Sequence, residues 1–161
     1  MRILVAGIGN VFLGDDGFGV EVVRRLGEQP PETAIDVRDF GIRGLHLAFA
    51  LSDGRYDAAI VVDATSRGGA PGTLYAIEPD PDSPAREAVV PDAHGLTPDA
   101  VLAWIQHVGG VRPKRIIVVG CEPAVLEESM GLSEPVAAAV DGAIAMVRDF
   151  IVELSGVARC A

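Results

Sequence analysis

The opening of the chain, residues 1–26, constrains the fold more than any other stretch. Residues 2–6 predict a strand, and their consecutive apolar positions are typical of a strand that is covered on both faces. A loop punctuated by glycines follows. A helix is then predicted to begin near Asp16 or Gly17, because apolar side chains recur from there at helical spacing. A strand, a loop and a helix in this order indicate an α/β domain.

The rest of the pattern predicts further strands and helices. Strands are predicted at residues 35–40, 58–62, 73–77 and 115–120, and helices at 45–51, at 98–108 and from Ser133 to about Leu154, with a long loop at 79–97. The strand at 73–77 follows its predecessor after only a short turn, so we expect it to run antiparallel. The sequence therefore predicts one domain, residues 1–161, folded as a three-layer α/β/α sandwich with a five-stranded, mostly parallel sheet.

Composition and charge argue against several classes of protein. The chain has 161 residues, 49% of them hydrophobic, which is enough for one domain with a proper core. The net charge of -10 argues against a nucleic-acid partner, and no apolar run is long enough to cross a membrane. Neither a signal peptide nor a disulfide between Cys121 and Cys160 is predicted. We therefore expect a cytoplasmic protein, and a monomer.

Acidic side chains follow three of the predicted strands directly. In parallel sheets, ligands bind outside the carboxyl ends of the strands, so Asp16, Asp39 and Asp63 are expected at one rim of the sheet. The helix that starts at Pro98 must also begin at this rim, because the parallel strand after it begins at the opposite end. The long loop before that helix should therefore bring His94 to the same place.

This convergence favours a metal site made of Asp16, Asp63 and His94. Two carboxylates and one imidazole suit a divalent ion such as nickel, zinc or manganese, with positions left for water or substrate. Each residue also has a simpler interpretation on its own. Asp16 could cap the first helix, Asp63 could bind backbone amides at a strand end, and His94 could be an exposed loop residue.

Two other chemistries compete with the metal site. The Gly-Ile-Gly of the first loop invites a dinucleotide, but Phe12 replaces the third glycine of that motif. The adjacent carboxylates of Asp15 and Asp16 would also repel a pyrophosphate there. Alternatively, Cys121 could be a nucleophile with His94 as its base, although a cysteine that follows a core strand is usually buried and inert.

Several segments together form a recognisable pattern. They are the opening RILVAGIGNVFLGDDGFGV, the turn DFGIRG, the strand IVVDAT, then APGTL, the histidine before GLT, and VVGCEP followed by GLS. In sequence and order they resemble the hydrogenase maturation endopeptidases, and the resemblance covers nearly the whole chain. That family trims the C-terminal extension from the large subunit of nickel–iron hydrogenases.

The resemblance implies an aspartic-type endopeptidase that cuts a hydrogenase large-subunit precursor after nickel insertion. The nickel would be carried by the substrate and contacted by Asp16, Asp63 and His94, with Asp16 or Asp39 as the catalytic base. The family pattern does not call for a cysteine at Cys121. The main alternative is a non-catalytic, nickel-binding assembly factor that uses the same three ligands, and a nucleotide-binding α/β protein is the weaker one.

Overall fold

The computed structural model describes residues 1–30, 33–79, 103, 105 and 109–156. The strands within these residues are β1 (Ile3–Ile8), β2 (Ile35–Gly41), β3 (Ala58–Ala64), β4 (Leu74–Ile77) and β5 (Arg115–Cys121). The helices are a 3-10 turn (Gly14–Gly17), α1 (Phe18–Gly27), α2 (Gly44–Ser52) and α3 (Glu134–Leu154). Nearly all of the predicted loop and helix between residues 79 and 108, His94 included, lies outside the described residues.

The strands form one sheet in the order β2-β1-β3-β5-β4. The pairs β1–β2, β1–β3 and β3–β5 are parallel, whereas β4 runs antiparallel to β5. The prediction of a five-stranded, mostly parallel sheet with one antiparallel strand is confirmed. β4 runs antiparallel because the connection between β3 and β4 is too short to hold a crossover helix, as expected from the sequence.

Helices cover both faces of the sheet, which confirms the three-layer arrangement. On one face α1 and α3 pack against alternate strand residues, and the buried side chains there include Val5, Phe18, Val22, Ile60, Val119, Val136, Val140 and Val147. On the other face α2 packs against the intervening residues, among them Leu4, Leu47, Leu51, Val61 and Val118. Because β1, β3 and β5 are covered on both sides, their sequences are apolar at consecutive positions.

Glycines bring the start of α1 unusually close to the sheet. A side chain at Gly19 would overlap the carbonyl groups of Ile8 and Val62, and one at Gly7 would overlap the backbone of Gly19. The first turn of α1 therefore rests directly on the ends of β1 and β3. This contact fixes the position of the 3-10 turn, and with it the acidic pair Asp15 and Asp16, at the carboxyl rim of the sheet.

The boundaries of the first elements differ slightly from the prediction. β1 continues through Gly7 and Ile8, whose pairing with β2 extends the strand two residues beyond the predicted end. The first helix begins at Phe18, because residues 14–17 form a 3-10 turn. None of the described helices combines the length and the apolar character that crossing a membrane requires.

Candidate active site at the carboxyl rim

Asp16 is held in the 3-10 turn by the loop that follows β1. Its Oδ2 accepts a hydrogen bond of 2.7 Å from the backbone N–H of Asn10. The side-chain oxygen of Asn10 accepts a bond of 2.9 Å from the N–H of Phe12, so the loop folds back over the strand end. The N-cap of α1 is Gly17, so the interpretation of Asp16 as the helix cap is wrong. Asp16 remains partly exposed at the rim.

Asp63 lies near the end of β3, opposite Gly120 of β5, and is only 5% exposed. Burial raises the pKa of its carboxyl well above the ordinary value, and the negative charge of Asp16 raises that pKa further. A hydrogen bond from the N–H of Ala64 lowers this pKa, but by less than burial and Asp16 raise it. Asp63 is thus a carboxylate whose charge is costly until a proton or a cation relieves it.

Asp16 is close enough for its negative charge to act on the pKa of Asp63, and both acids lie at the carboxyl rim. They offer two hard oxygen ligands at one rim. Within the described ranges, no three side chains of the metal-ligating kinds come together. The third predicted ligand, His94, falls in the part of the chain outside those ranges, so the complete set of three stays a prediction.

Asp39 lies near the end of β2, at the same rim, but its side chain bonds within its own turn. Its Oδ1 accepts a hydrogen bond of 2.7 Å from the N–H of Gly41, and the side chain is exposed. The carbonyl of Gly41 accepts a bond of 2.9 Å from the N–H of Gly9, which joins this turn to the loop after β1. Asp39 therefore borders the loop that carries Asp16, and its predicted role as a base stays a prediction.

Asp15 is a structural residue whose role the sequence did not predict. Its buried carboxylate accepts hydrogen bonds from the N–H groups of Ala124 and Val125, both at 2.8 Å, and from the N–H and hydroxyl of Ser133, at 2.7 and 2.8 Å. Burial acts to raise the pKa of Asp15, but these hydrogen bonds outweigh it and lower the pKa. Asp15 therefore joins the 3-10 turn to the segment after β5.

Glu122 has a comparable structural role one residue after β5. It accepts hydrogen bonds from the N–H groups of Arg67 and Gly68, at 2.8 and 3.2 Å, and from the hydroxyl of Tyr75 at 2.8 Å. The bond from Arg67 leads the interactions that lower its pKa. Glu122 thereby anchors the connection between β3 and β4 against the end of β5.

Cys121 is fully buried, on the sheet face that packs against α1 and α3. Burial raises the pKa of its thiol to about 11, and the negative charges of Asp15 and Glu122 add to the shift. A thiol with such a pKa is protonated at neutral pH and is a poor nucleophile. This environment argues against the cysteine mechanism.

The fold is an α/β sheet whose carboxyl rim presents carboxylates, at the place where open α/β sheets bind their ligands. The model of the hydrogenase maturation protease family matches residues 20–149 of the chain. The chain therefore belongs to the hydrogenase maturation protease family, and it is a peptidase.

Relatives from distant organisms support this assignment along nearly the whole chain. A putative hydrogenase maturation protease of Methanocaldococcus jannaschii is 36% identical over 148 residues, which cover 90% of this chain and 93% of the relative. The hydrogenase 2 maturation protease of Escherichia coli is 33% identical over 150 residues, covering 91% and 88% of the two chains. The solved structure of a hydrogenase-maturating endopeptidase from E. coli superposes with a TM-score of 0.77 at 28% identity, covering 97% and 94%.

Proposed function

We propose that this protein is an endopeptidase that removes the C-terminal extension of a nickel–iron hydrogenase large-subunit precursor once nickel has been inserted. Asp16, Asp63 and His94 contact the nickel carried by that substrate. The observation that carries the proposal is the environment of Asp63, a buried carboxylate whose pKa is raised by burial and by Asp16. A cation delivered by the substrate would neutralise both carboxylates, so binding favours the nickel-loaded precursor over the empty one.

The hydrolysis needs a base as well as a metal contact. In this proposal water attacks the carbonyl carbon of the scissile peptide bond, and Asp16 or Asp39 accepts the proton of that water. The same carboxyl group then donates that proton to the peptide nitrogen as the C–N bond breaks, so the products are a new carboxyl terminus and a free amine. Asp39 is a reasonable candidate because it is exposed at the rim and its turn is bonded to the loop that carries Asp16.

The decisive experiment compares two forms of the precursor. The purified protein is incubated with nickel-loaded and nickel-free large-subunit precursor, and the mass of the precursor is followed by mass spectrometry. Shortening of the loaded form alone supports the proposal. Nickel-dependent binding without shortening would instead support the assembly factor, and a thermal shift with NAD or FAD but not with precursor would support the nucleotide-binding alternative.

Two substitutions test the site within the same assay. Asp16→Asn and His94→Ala should each abolish cleavage while leaving the thermal unfolding midpoint near that of the wild type. The matched controls are Asp141→Asn, an exposed carboxylate on α3, and His46→Ala, an exposed imidazole on α2. Both controls should cut at the wild-type rate. Cleavage by Asp16→Asn at a rate close to that of Asp141→Asn would refute the site.

A further inference from the structure

An exposed apolar surface lies beside Asp16, on two loops at the carboxyl rim. We call it the apolar platform, and it consists of Val11, Phe12, Val125, Leu126 and Met130. Phe12 is 64% exposed and Met130 is 73% exposed, so large apolar side chains face solvent here. Burying such side chains against a partner is favourable, and exposed apolar patches on soluble proteins often mark interaction sites.

Backbone hydrogen bonds join the two loops of the platform. The N–H of Ser129 donates to the carbonyl of Phe12, and the N–H of Gly14 donates to the carbonyl of Ser129, both at 3.0 Å. The N–H of Asp15 donates to the carbonyl of Val125 at 2.8 Å. These bonds place Phe12 and Met130 on adjoining segments of backbone.

The buried carboxylate of Asp15 reinforces the same junction. It accepts hydrogen bonds from the N–H groups of Ala124 and Val125, directly before the exposed side chains of the second loop. The apolar side chains are thus presented by backbone that is already ordered, so less conformational entropy is lost when a partner binds. The platform is also continuous with the catalytic rim, because Asp16 is part of the first of its two loops.

The charge around the platform indicates the chemistry of its partner. Glu127 and Glu128 are exposed within the second loop, between Leu126 and Met130, and the whole chain carries a net charge of -10. A complementary partner would present an apolar surface flanked by lysine or arginine side chains.

We propose that the apolar platform is the surface on which the large-subunit precursor docks, through an apolar patch of the precursor flanked by basic residues. This inference rests on the proposed function and adds a contact outside the nickel site. The platform supplies affinity for the folded precursor, and the rim carboxylates then act on its nickel and scissile bond. Docking and cleavage are therefore separable by substitution.

The test uses the double variant Phe12→Ser/Met130→Ser, with Val111→Ser as its matched control. Val111 is 68% exposed but lies in the segment before β5, near the opposite end of the sheet. We expect the double variant to raise KM for the nickel-loaded precursor by roughly tenfold or more, with kcat unchanged. The Kd for the nickel-free precursor should rise by a similar factor. The control Val111→Ser should match the wild type in both measurements.

A second variant tests the predicted charge of the partner. Glu127→Lys/Glu128→Lys should slow association with the precursor and remove most of its dependence on salt, because the attraction between the acidic loop and a basic rim is lost. An association rate that is unchanged, or that rises, would show that the partner's apolar patch is not flanked by basic residues. Met130→Ser alone serves in place of the double variant if circular dichroism shows that the double variant is not folded.

The outcomes distinguish the docking surface from the protease. If the wild type cleaves and the platform variants keep its KM and Kd, the docking proposal is wrong and the proposed function stands. If the wild type binds the precursor without cutting it, the protease proposal fails and the Kd of the variants still decides the docking surface. If the wild type neither binds nor cuts, both proposals are overturned.

Discussion

Two buried carboxylates at the same rim, Asp15 and Asp63, have opposite environments. Asp15 accepts hydrogen bonds from three backbone N–H groups and a hydroxyl, which lower its pKa. Asp63 lies next to another negative charge, and burial raises its pKa. The hydrogen bonds of the fold stabilise Asp15 as an anion. The single hydrogen bond from Ala64 does not offset the effects of burial and of Asp16 on Asp63. A buried acid with satisfied hydrogen bonds is therefore a structural residue, and one with a costly charge is a candidate ligand.

The largest effect is expected from Asp63→Asn, which should lower activity strongly but raise stability. Cleavage of the nickel-loaded precursor should fall by roughly hundredfold or more, since even the partners of metal ligands contribute 10–100-fold. The unfolding midpoint at pH 7 should rise, because a neutral amide avoids the cost of the buried charge. The measurements are the initial cleavage rate and thermal unfolding by circular dichroism. A midpoint that falls as far as that of Asp15→Asn would contradict the contrast between the two acids.

The next effect is expected from Asp15→Asn, in which the loss of stability should dominate. The amide cannot accept the same set of hydrogen bonds, so the free energy of unfolding should fall by about 2 kcal/mol. For a chain of this length the unfolding midpoint would drop by roughly 4–8 °C. Urea unfolding measures the change directly. A stability equal to that of the wild type would show that the bonds between the 3-10 turn and the segment after β5 contribute little.

The pH dependence of these two variants should have opposite signs. The lowered pKa of Asp15 gives the wild type a stability advantage over Asp15→Asn that is full above about pH 5 and is lost as the pH falls below the unfolded value of about 3.9. The raised pKa of Asp63 gives the wild type a disadvantage relative to Asp63→Asn that is absent below the unfolded value of about 3.9, grows as the pH rises above it, and is complete once the pH has passed the folded pKa. Urea unfolding between pH 3 and pH 7 tests both trends.

The smallest effect is expected from Cys121→Ala. The thiol is buried and its pKa is raised to about 11, so it takes no part in the proposed hydrolysis. Cleavage of the precursor should proceed at the wild-type rate, with a modest loss of stability from the smaller side chain. Loss of cleavage in a variant that remains folded would revive the cysteine mechanism.

The sequence predicts the sheet well because the signals for it are local. The consecutive apolar residues of β1, β3 and β5 follow from burial on both faces, and the short connection before β4 fixes its direction. The placement of Asp16 and Asp63 at one rim follows from the same topology, since Asp63 lies near the end of β3 and Asp16 lies in the turn after β1, the adjacent parallel strand.

The role of Asp15 could not be predicted in this way. Its partners Ala124 and Val125 lie 109 and 110 residues further along the chain, and nothing local in the pair Asp15-Asp16 says which acid turns inward. Hydrogen bonds between distant loops depend on the finished tertiary structure. The sequence therefore does not tell which of Asp15 and Asp16 is buried. It does show that acidic residues follow the strands, and this was enough to predict an acidic rim.

The glycine contact between α1 and the sheet has a consequence for how such a protein can diverge. Gly19 rests on the carbonyl of Val62, the residue immediately before Asp63, and Gly7 rests on Gly19. No side chain acts as a spacer at this junction. Substitutions elsewhere in the hydrophobic interior can accumulate over evolutionary time while these backbone contacts still set how far the turn that carries Asp16 lies from the end of β3 that carries Asp63.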